Sequence, residues 1–197
     1  MKQRYRVASP RQLARIAGVL YLVIFIVCPH GASTATPLNI AVTMVCDTGL
    51  AFIFYVLFRP VNRDVAMLAL IFRLIFVAIV TLDSLDYFGV LDLFRGTHAA
   101  QLFDTVDRLS LVPFGVHCLL IGYLIYRSKF LPRFLGLLMA VAGLTYVNFA
   151  HPWLVHDTFP YILIPGVLGE GLLTLWLLVP GLNSERWARQ AGRLGYA

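Results

Sequence analysis

Residues 109–150 read LSLVPFGVHCLLIGYLIYRSKFLPRFLGLLMAVAGLTYVNFA. Two apolar runs, Leu109–Tyr126 and Leu131–Ala150, meet at a short turn where Arg127, Lys129 and Arg133 cluster. At about 1.5 Å of rise per residue, roughly 20 helical residues cross a hydrocarbon layer of about 30 Å. An isolated strand would leave its amides unpaired in lipid, so both runs are expected to be helices. The basic turn between them belongs on the cytoplasmic side, where Lys and Arg accumulate.

Four more runs flank this hairpin: Leu13–Cys28, Leu38–Phe58, Val65–Leu82 and Phe159–Val179. Lys2, Arg4, Arg6, Arg11 and Arg15 lie before or at the start of the first. Arg59 and Arg63 join the second to the third, and Arg186, Arg189 and Arg193 follow the last. Segments 29–37 and 151–158 hold no Lys or Arg, and 83–108 has only Arg95 and Arg108 among five aspartates. Basic and non-basic connections alternate, so every one agrees on both termini being cytoplasmic. The expectation is an all-α polytopic membrane protein: a six-transmembrane-helix bundle, N-in/C-in, forming a single transmembrane domain over 1–197. Its helices fall near 13–29, 38–58, 64–82, 108–127, 131–150 and 158–180, with an external loop at 83–107.

Composition supports this. Of 197 residues, 59% are hydrophobic and 13% charged, against about 25% charged in soluble domains. The net charge of +6 sits mostly at helix ends on one side, which makes it a topology signal and not a nucleic-acid footprint. Cys28, Cys46 and Cys118 lie within apolar runs without CxxC spacing, as packing residues do.

The N-terminus offers a competing reading. A basic stretch, an apolar run and then Ser33-Thr34-Ala35 resemble a cleavable signal peptide, which would leave five helices. The remaining charge pattern needs no cleavage, so six helices are expected. His98–Asp107 reads as helical, with Leu102, Phe103, Val106 and Leu109 along one side. It is either an interfacial helix or an outward extension of the fourth span. The 83–107 loop is read as a solvated connection, with a lid as the alternative.

Charged groups at bilayer depth cost about 2.5–3.5 kcal/mol each on insertion scales. Asp47, Arg73, His117 and Glu170 all fall about eight to eleven residues inside their runs, close to the midplane. Asn39, Thr43 and Asp47 form one stripe at i, i+4 and i+8. Arg73 shares a face with Val77, Val80 and Ser84, His117 with Ser110 and Phe114, and Glu170 with Gly166 and Thr174. Lipid cannot hydrate such stripes, so a buried cluster of Asp47, Arg73, His117 and Glu170 is expected. Arg73 stays protonated and demands one carboxylate. The other carboxylate is then held by protonated His117 or keeps its own proton, since an unpartnered charge is costly in a dry interior. The candidate catalytic residues are Glu170 and Asp47 as proton donors and His117 as shuttle. The candidate ligand-binding residues are Arg73, Asn39, Thr43 and Thr174. The competing reading is a structural ion pair that fixes helix register.

Pro113 and Pro165 lie four and five residues before His117 and Glu170. They read as ordinary membrane kinks or as breaks opening a site. Gly136, Ala140, Gly143, Gly166, Gly169 and Gly171 read as close-packing positions. His30, Asp83, Asp86, His98, His151, His156 and Asp157 are metal-competent types near the outer boundary, but none shows a ligand spacing, so no metal is expected. Trp153, Tyr87, Tyr161 and Trp187 read as interfacial anchors. No phosphate loop, nucleophile motif or dinucleotide fingerprint is present, and no cofactor is expected.

Several stretches carry a resemblance: Ala17-Gly18-Val19-Leu20-Tyr21-Leu22, Phe58-Arg59-Pro60-Val61-Asn62-Arg63, and Gly122-Tyr123-Leu124-Ile125-Tyr126-Arg127-Ser128 followed by Leu131-Pro132-Arg133 and Leu135-Gly136. Gly169-Glu170 and Leu175-Trp176-Leu177-Leu178 add to it. Over nearly its whole length the chain resembles DUF4386, a family of bacterial multi-pass membrane proteins described only as a domain of unknown function. The resemblance implies a bacterial cytoplasmic (inner) membrane location and carries no activity or catalytic residue.

The function expected first is binding, with or without modification, of an apolar or amphipathic small molecule such as an isoprenoid or quinone. Membrane lipids and that ligand are the expected partners; the pattern sets no oligomeric state. Proton-coupled transport ranks lower because the inner halves are apolar, as in Phe52-Ile53-Phe54 and Leu119-Leu120-Ile121. A non-catalytic regulatory or scaffold subunit is the third reading.

Overall fold

The computed structural model describes residues 9–28, 34–91, 99–151, 153, 155, 158 and 160–192. Among them there is no strand. Helix starts follow local chemistry. Ser9 and Gln12 form a reciprocal capping box before α1 (Pro10–Val27), and Thr36 and Asn39 form another before α2 (Pro37–Phe58). Pro10 and Pro37 stand in the first turn, where the missing N–H costs nothing. Asn62 caps α3 (Arg63–Tyr87) by accepting from the Asp64 and Val65 amides. Then come α4 (Ala99–Arg127), α5 (Arg133–Val147), a 3-10 turn at Asn148–Ala150, a second at Tyr161–Leu163, α6 (Ile164–Leu178) and α7 (Ser184–Gly192).

Six helical segments are long and apolar enough to cross a membrane: Pro10–Val27, Pro37–Phe58, Arg63–Tyr87, Arg108–Arg127, Arg133–Ala150 and Tyr161–Leu178. This is a multi-pass membrane fold. The connection between α3 and α4 is shorter than the expected 83–107 loop, because α3 runs on to Tyr87 and α4 already begins at Ala99. Polar residues at 83–86 looked like loop. In the helix, Asp83 and Ser84 are buried, and Ser84 Oγ donates to the Val80 carbonyl at 2.6 Å. α3 stops where Gly89 takes φ 72, a left-handed conformation that costs a glycine little. Residues 1–8, 92–98 and 193–197, with Ser33, His30, His156 and Asp157, lie outside the described residues.

Each spanning helix packs on the next in sequence, and α6 returns to α1, so the six form a closed ring. The α4–α5 hairpin is the tightest pair. Gly115 lies against Gly143, and Gly122 against Gly136, with backbones in direct contact. The core is filled mostly by apolar and aromatic side chains, among them Tyr21, Phe54, Phe58, Leu124, Leu135, Met139 and Leu173. At the basic end α7 folds back across the ring. Trp187 Nε1 donates to the Leu57 carbonyl of α2 at 2.9 Å, and Asn183 N–H to the Phe130 carbonyl at 3.2 Å. Read as an interfacial anchor, Trp187 is also a cap on the last turn of α2.

Candidate functional site

Every spanning helix directs one polar side chain to the middle of the ring: Tyr21, Asp47, Arg73, His117, Tyr146 and Glu170. All lie about eight to thirteen residues from the basic end of their helices, or roughly 12–20 Å. Inward-running and outward-running helices reach one level by counting from opposite ends.

Arg73 is the hub and is 1% exposed. Its Nε donates to Asp47 Oδ1 at 3.0 Å, and Nη2 donates to the same oxygen in a shorter ion pair. Nη1 serves two partners, Tyr21 Oη at 3.1 Å and His117 Nε2 at 3.0 Å. The guanidinium carbon also lies 5.1 Å from the Tyr21 ring centre and 5.2 Å from that of Phe114, within cation–π range.

His117 is wholly buried, and both its nitrogens are engaged. Nδ1 lies 2.8 Å from the Ala69 carbonyl oxygen. That oxygen can only accept, so Nδ1 carries the proton and Nε2 receives the one from Arg73. His117 is therefore the neutral tautomer, and the protonated His117 that sequence reasoning allowed does not fit this geometry. Its ring is stacked between Phe54 (centroids 6.4 Å, 14°) and Phe114 (5.9 Å, 22°), which holds the imidazole edge toward Arg73. His117 is thus held at both nitrogens, by Ala69 at Nδ1 and by Arg73 at Nε2.

Glu170 forms a separate centre. Tyr146 Oη donates to Glu170 Oε1 at 2.5 Å. Among the described residues no cation lies at ion-pair distance from Glu170. The four-residue cluster expected from sequence is thus two neighbouring centres, bridged by Phe114, whose ring lies 5.2 Å from Arg73 and 5.4 Å from the Tyr146 ring. The division has a steric cause. A Cβ on Gly166 would lie 2.5 Å from Tyr146 Cζ and Oη, so only glycine lets that ring lie across α6 and reach Glu170 one turn on.

The remaining candidates lie apart from this geometry. Asn39 is spent on the α2 cap: its Nδ2 donates to the Thr34 carbonyl at 2.9 Å and its Oδ1 accepts from the Thr36 amide at 2.8 Å. It is at the helix end and joins neither centre, a correction to its assignment as a ligand-binding residue. Thr43 and Thr174 are buried, but their hydroxyls donate to carbonyls one turn back, Asn39 at 2.8 Å and Glu170 at 2.7 Å. Pro113 lies inside a continuous α4, whereas Pro165 sits in the first turn of α6, where it breaks nothing. A Cβ on Gly171 would meet nothing within 4 Å, so this glycine is not a packing position. Among the described residues no three His, Cys, Asp or Glu side chains converge as a metal site would need.

Sequence reasoning missed Tyr21 and Tyr146. A signal was present: both phenols lie deep in apolar runs, away from the interfaces where tyrosine gathers, and a buried hydroxyl needs a partner.

Gly166→Ala is expected to push Tyr146 off Glu170 and cost about 1–3 kcal/mol by overpacking. Gly171→Ala should cost nothing. Thermal unfolding of both variants in detergent checks the contrast; equal midpoints would mean Tyr146 does not lie over α6.

A family model described as a domain of unknown function, DUF4386, matches residues 35–181. An uncharacterized protein of Archaeoglobus fulgidus is 29% identical over 144 residues, covering 73% of this chain and 82% of the relative. No solved structure matches.

Proposed function

The chain belongs to the DUF4386 family, which carries no assigned activity, and from the site itself we propose that it binds an apolar or amphipathic small molecule whose polar end meets Glu170 and Tyr146. The observation that carries this reading is the Glu170–Tyr146 pair, a carboxyl and a phenol at bilayer depth beside a separately satisfied cation. Ionisable groups inside a membrane are costly, and one that does not serve the main ion pair calls for a use.

The surroundings give the site a direction. Toward the basic end the ring is closed by Leu57, Phe58, Ile121, Leu124, Ile125 and Phe130, all buried. Toward the other end the buried set includes Thr43, Ser84 and Ser110, while on the basic side the buried hydroxyl of Thr174 is taken up by the Glu170 carbonyl. At that end α2 and α3 also flank a small apolar cleft of about 180 Å³ beside Ile40, Met44 and Phe88, which Glu170 and Tyr146 do not line. The ligand enters from this end, opposite the cytoplasm in a bacterial inner membrane, and stops at mid-depth. The apolar seal disfavours proton-coupled transport. Where binding leads to turnover, the proton resides on Glu170, since Asp47 is committed to Arg73 and His117 to Arg73 and Ala69. Arg73, Asp47 and His117 then position the helices and do not meet the ligand.

The test is mass spectrometry of small molecules retained by protein purified from its native membrane in mild detergent. Wild type should carry an amphipathic species, and Glu170→Gln, eluting as the same folded peak, should carry roughly ten-fold less or below, as expected when a hydrogen bond to a charged or strongly polar partner is lost. Equal retention by both overturns the reading. Solute or proton flux through reconstituted vesicles would favour transport instead.

A further inference from the structure

The second polar concentration in the molecule lies at the basic end, away from Glu170. Folding brings the α4–α5 turn and α7 together there. Lys129 N–H donates to Gln190 Oε1 at 3.4 Å, and Arg186 Nη1 to the Lys129 carbonyl at 3.4 Å. Between these two segments and the α2–α3 turn at Pro60 and Val61 is a hollow of about 790 Å³, its polar wall made by Ser128, Lys129, Arg133, Arg186, Arg189 and Gln190. Four of these are cations, and among the described residues no carboxylate lines the hollow. A second hollow of about 670 Å³ shares Lys129 and Arg186 with it and adds Arg11, Asn183 and Trp176. Glu185 lines this second hollow and reaches Arg189 at 3.7 Å with both side chains mostly exposed, too weak a pair to neutralise the group.

Positive charge on this side is expected of any membrane protein. The convergence is not. Topology requires cations in the turn, but it does not require a helix beyond the last span, tied down by Trp187 and Asn183, to bring Arg186 and Arg189 against Lys129 and Arg133. Four like charges around one concavity repel, and the arrangement is relieved by an anion that several of them share. Guanidinium groups match phosphoryl oxygens in geometry as well as charge. Trp176 on the wall of the second hollow, edge-on to Phe134 at 5.8 Å, sets this ground at the level where aromatic side chains meet lipid headgroups.

We propose that the joined hollows are a phosphate-binding site of the kind an anionic glycerophospholipid headgroup fills, its acyl chains lying along the exposed apolar faces of α5 and α6. The site is independent of the Glu170 reading and stands or falls separately.

The test uses the full chain in nanodiscs of phosphatidylcholine alone, phosphatidylcholine with phosphatidylglycerol, and phosphatidylcholine with millimolar inorganic phosphate. Lipid retained after detergent release is counted by native mass spectrometry, with thermal midpoint as a second readout. Wild type is expected to retain phosphatidylglycerol over phosphatidylcholine. Arg133→Gln, Arg186→Gln and Arg189→Gln should each reduce that preference about five-fold, the effect of one interfacial cation. Arg15→Gln, a charge removed outside both hollows, should leave the preference in place. A midpoint raised by inorganic phosphate alone, and lost in Arg186→Gln, supports the same phosphate chemistry with a free ion as its source. Equal retention of the two lipids by wild type, with no response to phosphate, overturns the proposal. So does a preference lost equally in Arg15→Gln. Where a variant does not fold, the wild-type comparison of the three membranes decides alone.

Discussion

Asp47→Ala is expected to destabilise the bundle by about 3–5 kcal/mol, the cost of leaving one member of a buried ion pair without its partner. Arg73 is enclosed by Tyr21, Asp47, Phe114 and His117 and has no route by which a shifted side chain could bring its charge to water. Asp47→Asn should cost less, because the amide oxygen still accepts from the guanidinium. Removing both charges in Asp47→Leu/Arg73→Met should recover much of the loss, since an apolar pair of similar volume needs no desolvation of ions. Recovery stays incomplete, because Tyr21 Oη and His117 Nε2 then lose the donor that Arg73 supplies, at about 1 kcal/mol or more each. Adding His117→Phe should regain part of this, since the ring stays between Phe54 and Phe114. Reversible unfolding in mixed micelles measures the series. If Asp47→Ala alone stays within about 1 kcal/mol of wild type, the ion pair does not hold the ring together.

The second large effect is expected at the glycines of the α4–α5 hairpin. A Cβ on Gly122 would lie 2.7 Å from the Gly136 carbonyl oxygen, and one on Gly136 would lie 2.7 Å from the Gly122 oxygen and 2.8 Å from the Tyr126 nitrogen. These obstacles are backbone, so no side chain can rotate aside. The helices must separate, and the separation extends along the hairpin to Gly115 and Gly143. Gly122→Val or Gly136→Val should therefore lose at least the upper part of the ~1–3 kcal/mol typical of overpacking. Even Gly→Ala should lose stability, although alanine is the better helix former by about 1 kcal/mol. α5 also carries Tyr146, so the same variants should weaken ligand retention at Glu170. Unfolding midpoints beside those of Gly171→Ala, an open position, separate packing from propensity. A Gly136→Val protein as stable as wild type would mean the hairpin does not pack backbone to backbone.

The six spans, their order and the charge alternation were legible because each depends on neighbours in the chain: an apolar run of sufficient length and the cations at its ends. Depth was legible for the same reason. Counting residues from the helix ends placed Asp47, Arg73, His117 and Glu170 near one level, and the Asp47–Arg73 pair followed from the demand of a permanent cation. Asn39 was misread because a polar stripe at i, i+4 does not reveal where a helix starts; at the end of α2 its amide is captured by the cap. Pro165 was left between a kink and a break for the same reason, since the apolar run begins at Phe159, ahead of the first turn of α6.

Partner choice across the ring was a different kind of question. Nothing in the order of residues states that Glu170 meets Tyr146 and that Arg73 takes Tyr21 and His117 as well as Asp47. Those choices depend on how closely helices approach and how they are rotated, which Gly166 and the paired glycines of α4 and α5 set through contact distances of a few ångströms. The gathering of Lys129, Arg133, Arg186 and Arg189 around one hollow is of this kind too, because it needs α7 folded back onto a turn more than fifty residues earlier. Hydrophobic length and charge order are written along a chain; the direction a buried donor faces is decided only when another helix closes against it.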